Sequence, residues 1–350
     1  MTAFRRWRRA SMKKAALLVA VALTMACSTS SQPLTSTEAK SPPARGYHNL
    51  ISLGPSPGVL LFGGDTAPPR VGHVLGDVWQ WRSDQGWTEK TGIGQKDGYA
   101  FYERNAQRVV VLVFETGGPC GAPGTSSVCS TPRAFAPLLE NWTYYPAKDS
   151  WTQRDTDQRP DFQNGSAAAF DTESGRLIVF GGETWAYDPA VNSWAKMAPK
   201  RQPDFGAYAV LAYAAKQDRV ILLGGEDRGD LSDIWMYDFN HDTWTEAHAT
   251  PGPTARMYAT AAYDARANRL ILFGGLGSGG ALSDTWSYDL NTNAWLELKP
   301  KTSPSGRARH AMAYESETGN VVMFGGGDDP FHFKNDTWIY DPATNNWSEA

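Results

Sequence analysis

The feature that most constrains the fold of this chain is a motif that recurs six times. In each copy an apolar run ends in two glycines, and a tryptophan, a short turn and a second tryptophan follow. The glycine pairs are Gly63-Gly64, Gly117-Gly118, Gly181-Gly182, Gly224-Gly225, Gly274-Gly275 and Gly325-Gly326. The tryptophan pairs are Trp79/Trp87, Trp142/Trp151, Trp185/Trp194, Trp235/Trp244, Trp286/Trp295 and Trp338/Trp347. A repeat of about 50 residues indicates that each copy folds as one unit and packs against its neighbours.

The fifth copy shows most clearly how one unit folds. Met257–Tyr263 alternates in polarity, and Arg269–Phe273 is a continuous apolar run, which is typical of a strand covered on both faces. Asp284–Asp289 carries a Trp and a Tyr two residues apart, hence on one side of a third strand. After a turn, Trp295–Leu298 begins a fourth strand. We call these four strands a, b, c and d.

Four-stranded units without helical periodicity predict an all-β fold, a six-bladed β-propeller of four-stranded antiparallel blades. The apolar run before Gly-Gly, the Tyr-Asp step and the spaced tryptophans resemble kelch repeats, and the resemblance covers about residues 43–350. The chain starts with strand a of blade one and ends with strand d of blade six. We therefore expect no strand to be exchanged between the end blades, so that the ring closes by packing.

Residues 1–27 have the pattern of an export signal. Basic residues precede the apolar run Ala15–Ala26, which is too short for a stable membrane span. The end of this segment, up to Cys27, resembles a bacterial lipoprotein signal, which implies a lipid on the cysteine and a place in the cell envelope, in the periplasm or at the cell surface. The alternative is an ordinary cleaved signal. Residues 28–42, rich in Ser, Thr and Pro, predict a flexible linker before the propeller at 43–350.

The cysteines and the charge constrain the partners. With Cys27 lipidated, Cys120 and Cys129 are the two thiols left of three, and an exported protein would join them in a disulfide. Removing the six basic residues of the leader from 33 leaves 27 against 37 acidic residues, a net charge of −10. That balance argues against a nucleic-acid partner. We expect a monomer that meets the membrane only through its lipid.

One end of the propeller is the predicted binding face. The b–c loops and the d–a connections between blades share this end, and the b–c loops vary widely in length, whereas the c–d turns are uniform. Variable loops on a rigid scaffold usually carry function. We therefore predict a protein or glycan partner at the b–c/d–a face.

The candidate binding residues lie in these connections: Arg45, Arg256, Arg307, Glu226, Arg228, Phe331 and His332. The three arginines at equivalent repeat positions could surround the channel mouth and hold a carboxylate. In kelch domains that this chain resembles, arginines of this face contact acidic peptides. The alternative is that the arginines brace the d–a turns through backbone carbonyls.

Metal binding and catalysis have weaker support in the sequence. His332 with Asp328, Asp329 and Asp336 is the densest cluster of ligating residues, but we interpret it as loop packing and expect no metal or cofactor. No catalytic Ser–His–Asp or Cys–His arrangement can be argued. We therefore predict a non-catalytic module. The alternative, implied by resemblance to exported kelch propellers that epimerise sialic acid, would use Glu226, Arg228 and Arg256.

Overall fold

The computed structural model describes residues 40–350, except for 55, 67–73, 97, 115–137, 155–159, 161, 163–164, 205, 226–230, 232 and 330–331. Blade one consists of β1 (Asn49–Ser52), β2 (Val59–Phe62), β3 (Val78–Arg82) and β4 (Gly86–Lys90). Blade two consists of β5 (Gly98–Glu103), β6 (Arg108–Phe114), β7 (Leu138–Tyr145) and β8 (Ser150–Arg154). Blade three consists of β9 (Ala167–Asp171), β10 (Arg176–Phe180), β11 (Thr184–Asp188) and β12 (Ser193–Lys196).

The second half of the chain repeats this arrangement. Blade four consists of β13 (Val210–Ala214), β14 (Arg219–Leu223), β15 (Asp233–Asp238) and β16 (Thr243–His248). Blade five consists of β17 (Thr260–Asp264), β18 (Arg269–Phe273), β21 (Thr285–Asp289) and β22 (Ala294–Leu298), with a small hairpin of β19 (Leu276–Gly277) and β20 (Gly280–Ala281) in its b–c loop. Blade six consists of β23 (Ala311–Glu315), β24 (Asn320–Phe324), β25 (Thr337–Asp341) and β26 (Asn346–Glu349).

The six sheets form a closed ring. Within each blade the four strands lie in chain order and pair antiparallel, so no strand is exchanged between blades. The strands a contact one another in succession around the ring, and β23 of blade six contacts β1 of blade one. The predicted six-bladed propeller is therefore confirmed. No helix in the described ranges is long and apolar enough to cross a bilayer.

Local backbone geometry explains where the observed strands differ from the predicted ones. Strand b of blade five spans Arg269–Phe273 as predicted, but strand a begins at Thr260 rather than at Met257. Tyr258 adopts a positive φ of 56°, which interrupts the extended backbone, so Met257 forms only an isolated bridge with Leu276. Blade two, which carries extra residues before its glycines, has a longer strand b and a register shift in its β6–β7 pairing.

The glycine pairs follow from the close approach of neighbouring blades. Gly325 has a φ of +63°, and a Cβ added there would lie 2.6 Å from the carbonyl oxygen of Arg45. The next residue, Gly326, donates its amide to that same carbonyl at 2.9 Å. Gly274 and Gly275 meet the carbonyl of Arg307 in the same way. A side chain at the first glycine would push the adjacent blade away.

The second tryptophan of a pair joins each blade to the one before it. Trp244 packs at a centroid distance of 5.0 Å against Tyr237 of its own blade and 5.2 Å from Phe180 of blade three. Its indole N–H donates to Thr184 Oγ1 of blade three at 2.9 Å. Trp347 likewise donates to Thr285 Oγ1 at 3.1 Å. The buried apolar clusters accordingly lie between neighbouring blades rather than within single ones.

The ring closes through the same kind of joint. Trp87 of blade one packs 5.2 Å from Phe324 of blade six, and its indole N–H donates to Thr337 Oγ1 at 2.8 Å. Val59 and Trp81 of blade one share a buried cluster with Val322 of blade six. The expectation that closure rests on packing between the end blades is confirmed. The closing joint has the same tryptophan–phenylalanine packing and the same indole–threonine hydrogen bond as the joint at Trp244.

We predict that Thr337→Val destabilises the protein by about 1–3 kcal/mol, because it leaves the partly buried indole N–H of Trp87 without its acceptor. Thr184→Val and Thr285→Val are matched variants at ordinary joints and should cost about as much. Denaturant unfolding of the three variants measures the comparison. A much smaller loss for Thr337→Val alone would mean that the closing joint does not depend on this hydrogen bond.

Candidate ligand-binding face

The b–c and d–a connections meet at one end of the propeller. In blade one, Gly46 before strand a bridges Asp65 after strand b. Blades five and six repeat the contact with Met257–Leu276 and Ala308–Gly327. These bridges tie the start of each loop to the turn that enters the same blade, so the two kinds of connection form one surface.

The three predicted arginines are buried below this surface. Arg256 donates from Nη1 to the carbonyl of Gly274 at 3.0 Å and forms a two-pronged pair with Asp284 at 2.6 and 2.8 Å. Arg45 pairs in the same way with Asp77, and Arg307 with Asp336. The side chains of all three arginines are at most 1% exposed.

The acidic partners are held in their charged form by these arginines. Partial burial alone would raise the pKa of Asp284, but hydrogen bonds from Arg256 and its positive charge outweigh burial and hold the pKa below its ordinary value. The same carboxylate accepts the indole N–H of Trp286 at 2.7 Å. The pKa values of Asp77 and Asp336 are lowered by the same balance.

This geometry favours the alternative role of the three arginines, the bracing of turns, over ligand binding. Each guanidinium group already holds a carboxylate of its own blade and a backbone carbonyl 18 residues ahead. Bracing of the d–a turns, the alternative reading of the sequence, describes what Arg45, Arg256 and Arg307 do. A ligand could reach them only by breaking buried ion pairs, which costs several kcal/mol.

A different set of residues lines the mouth of the central channel. Tyr47, Tyr258 and Arg309 each stand two positions after a bracing arginine, and Tyr208 is equivalent in blade four. All four have positive φ angles between 56° and 62°, a conformation that non-glycine residues rarely adopt. Their backbones bond around the ring. The amide of Tyr47 donates to Arg309 O, that of Arg309 to Tyr258 O, and that of Tyr258 to Tyr208 O, at 3.0 to 3.3 Å.

The side chains of this mouth cluster hold one cation between aromatic rings. The guanidinium carbon of Arg309 lies 4.4 Å from the ring centroid of Tyr258 and 5.4 Å from that of Tyr47. Its Nε donates to the Tyr47 hydroxyl at 2.5 Å. Within the described residues no carboxylate lies within ion-pair distance of this guanidinium. Tyr208 stacks at 4.3 Å on Tyr258, and burial raises the pKa of Tyr258, so that its hydroxyl stays neutral.

Of the other predicted binding residues, His332 lies within the part of the chain that the structure describes. Glu226, Arg228 and Phe331 lie outside the described residues, as do Cys27, Cys120 and Cys129, so their roles and the disulfide stay predictions. His332 is fully exposed and bonds the Asp329 carboxylate at 2.7 Å, which raises the pKa of His332. Asp336 of the same predicted cluster is held by Arg307 instead. The epimerase alternative would use Arg256 to bind the substrate carboxylate, but this arginine is buried and already paired with Asp284.

The sequence contained a signal for the mouth cluster. Aligning the repeats on the bracing arginines places Tyr47, Tyr258 and Arg309 in one column. Such a column of large residues at a turn could have been singled out. The alignment did not show that the side chains of the bracing arginines are buried. Nor did it show that the side chains two positions later lie at the channel mouth.

Comparison with known proteins agrees with the fold. Residues 183–350 match the family model of the KLHDC2/KLHL20/DRC7 kelch-repeats domain. This range runs from strand c of blade three to the end of blade six. Together with the six antiparallel blades, the match defines a kelch-like β-propeller. Among curated proteins, no match to the chain was found.

Two histidines are buried next to this face. His48 and His310 directly follow Tyr47 and Arg309, and each packs edge-on against a phenylalanine of the preceding blade. Burial and the charge of Arg307 lower the pKa of His310 from 6.5 to about 3. Burial, followed by the charge of Arg45, lowers the pKa of His48 well below its ordinary value. Both imidazoles are therefore neutral in the folded protein.

We predict that the protein loses stability as the pH falls from about 6.5 towards 3. In this window the unfolded chain takes up protons on both histidines while the folded protein does not, and each contributes up to about 1.4 kcal/mol per pH unit. Above pH 6.5 their contribution is constant. Denaturant unfolding at a series of pH values measures the slope. Blades four and five carry alanine at the equivalent position, so the variant His48→Ala/His310→Ala should show a flatter dependence. An unchanged slope would contradict the assignment.

Proposed function

We propose that this kelch propeller is a non-catalytic binding module that docks a protein partner on its b–c/d–a face. The observation that carries the proposal is the Arg309 guanidinium, held between Tyr47 and Tyr258 at the channel mouth. It lies on a surface below which the buried arginines Arg45, Arg256 and Arg307 are already neutralised by partly buried carboxylates. An acidic side chain of a partner would supply the missing counter-charge.

The chemistry of the mouth supports an acidic group with a planar, two-oxygen shape. Arg309 uses its Nε for Tyr47, and the described residues supply no hydrogen-bond acceptor for its two terminal amino groups. Those groups are the pair that guanidinium presents to carboxylates in a forked geometry. The flanking rings keep the guanidinium in place, which lowers the entropy lost on binding.

The strained turns are a second support. Four large residues held at positive φ cost on the order of 1 kcal/mol each, and such strain is concentrated at functional sites. Here it aims the side chains of Tyr47, Tyr208, Tyr258 and Arg309 from four blades to one place. The fold would also tolerate glycine there, as Gly165 of blade three shows with a φ of +82°.

The proposal extends to where the module works. A basic and apolar leader at 1–27, a lipid on Cys27 and a linker at 28–42 would tether the propeller to the cell envelope of a bacterium. A disulfide between Cys120 and Cys129 would suit that oxidising location. The linker would leave the b–c/d–a face free to meet its partner, with the propeller acting as a monomer.

We predict that Arg309→Ala weakens partner binding by at least tenfold, because it removes the central cation. The tagged full chain would capture partners from envelope extract, with mass spectrometry to identify them and titration to measure affinity. Arg266→Ala is the matched control: Arg266 is an exposed arginine in an a–b turn at the other end of blade five, where it bonds the carbonyls of Thr318 and Glu317. This variant should bind as the wild type does.

The opposite pattern would reject the proposed face. If Arg266→Ala lost binding and Arg309→Ala kept it, the partner would occupy the a–b/c–d end. A glycan array with the same three proteins tests the other ligand class, and glycan binding that depends on Arg309 would replace the protein partner by a sugar acid. Circular dichroism of both variants, expected to match that of the wild type at the assay temperature, excludes misfolding as the cause.

The membrane tether has its own test. We predict that Cys27→Ser moves the protein from the membrane fraction to the soluble fraction, because the cysteine thiol is the only acceptor for the lipid in this reading. Immunoblotting of fractionated cells measures the distribution. Cys120→Ser serves as a control and should stay with the membrane. Retention of Cys27→Ser in the membrane fraction would rule out the lipid anchor.

A further inference from the structure

A second cluster on this end of the propeller has the composition of a metal site. In the described part of the chain, Asp233, Glu246 and His248 bring one ligand atom each within 4.8 Å of one another. Asp233 is the first residue of β15 and lies directly opposite His248, the last residue of β16. Glu246 stands two residues before His248 and therefore on the same side of that strand. Three different strand positions thus converge at the outer edge of blade four.

A comparison among blades explains why the Asp233 carboxylate has no buried arginine partner. Asp233 occupies the repeat position of Asp77, Asp284 and Asp336, each two residues before the first tryptophan of its blade. Those three carboxylates are locked by a buried arginine. In blade four Gly206 stands where that arginine would be. Asp233 therefore forms no pair of the bracing kind, and its carboxylate bonds His248 Nδ1 at 2.7 Å.

The Asp233 carboxylate lies beside two other metal-ligating side chains and is accessible to solvent. The side chains of Asp233 and His248 are 50% and 65% exposed, whereas Glu246 is 22% exposed. Imidazole nitrogen and carboxylate oxygens form the mixed donor set that divalent first-row ions such as Zn²⁺ accept. Arg201 bonds Glu246 and lies 4.7 Å above the ring of Trp235, but it is 65% exposed and can swing into solvent when a cation arrives.

We propose that Asp233, Glu246 and His248 bind one divalent transition-metal ion of the Zn²⁺ type. Three protein ligands leave the remaining coordination positions to water or to a group of a docked partner, because the site opens at the edge of the b–c/d–a face. The inference does not depend on the proposed partner: metal binding is measured on the isolated chain.

The chain supplies its own controls for this site. His241 bonds the buried Asp238 at 2.8 Å, and His332 bonds Asp329 at 2.7 Å, so each is an exposed histidine that is paired with a carboxylate, as His248 is with Asp233. Neither belongs to a group of three ligating side chains within the described residues. If a histidine–aspartate pair sufficed for binding, these two would bind equally well.

The test is calorimetric titration of Zn²⁺ into the untagged full chain. We expect one saturable site, and we expect each of His248→Ala, Asp233→Asn and Glu246→Gln to weaken its affinity by at least tenfold. His241→Ala should leave the affinity unchanged. Asp233 and His248 are exposed and Glu246 is partly exposed, and circular dichroism of each variant verifies the fold.

Two results would overturn the assignment. One is the absence of saturable Zn²⁺ binding by the wild-type chain. The other is binding that persists undiminished in His248→Ala and Asp233→Asn, which would place the ion elsewhere. Because Arg309→Ala is expected to leave Zn²⁺ binding intact, failure of the metal site and failure of the docking face are separate outcomes.

Discussion

The joint between neighbouring blades is the interaction on which the rest of the structure depends. In this joint a strand-d tryptophan lies against the preceding blade and donates its indole N–H to a threonine hydroxyl there. A glycine amide donates to a backbone carbonyl in the d–a turn of the next blade. No blade buries these groups by itself. Every blade therefore needs a neighbour on each side, and only a closed ring satisfies all of them. The joint from Trp87 to blade six completes that ring without exchanging a strand.

The bracing arginines turn this ring into a platform for function. By holding a carboxylate and a glycine carbonyl at once, Arg256 fixes the turn that enters blade five and the loop that leaves its strand b. The residue two positions later then has a fixed direction, towards the channel mouth. Repetition of this device in blades one and six is what brings Tyr47, Tyr258 and Arg309 together. Where the device is missing, in blade four, Asp233 has become available to His248 and Glu246.

Much of the fold but little of the site could be predicted from the residues alone. The spacing of the glycine and tryptophan pairs predicted the blades, and the apolar run Arg269–Phe273 predicted a strand with its observed bounds. The candidate arginines occupy equivalent repeat positions, but their contacts favour the bracing of turns over ligand binding. A guanidinium is equally suited to a ligand and to an internal aspartate, and the sequence does not say that Asp284 lies within 3 Å of Arg256. Nothing in the sequence distinguishes Arg309 from Arg307, which lies two residues before it in the same turn.

The sequence by itself determined the number of blades, the order of their strands and the ends at which the loops lie, because side-chain periodicity and turn residues act over a few positions and are repeated six times. The tertiary structure alone decided which charges are buried and which meet solvent. Arg307 and Arg309 are two residues apart, yet one is sealed against Asp336 and the other faces the mouth. That difference depends on the positive φ between strands and on the approach of the next blade, both of which arise only when the ring is assembled.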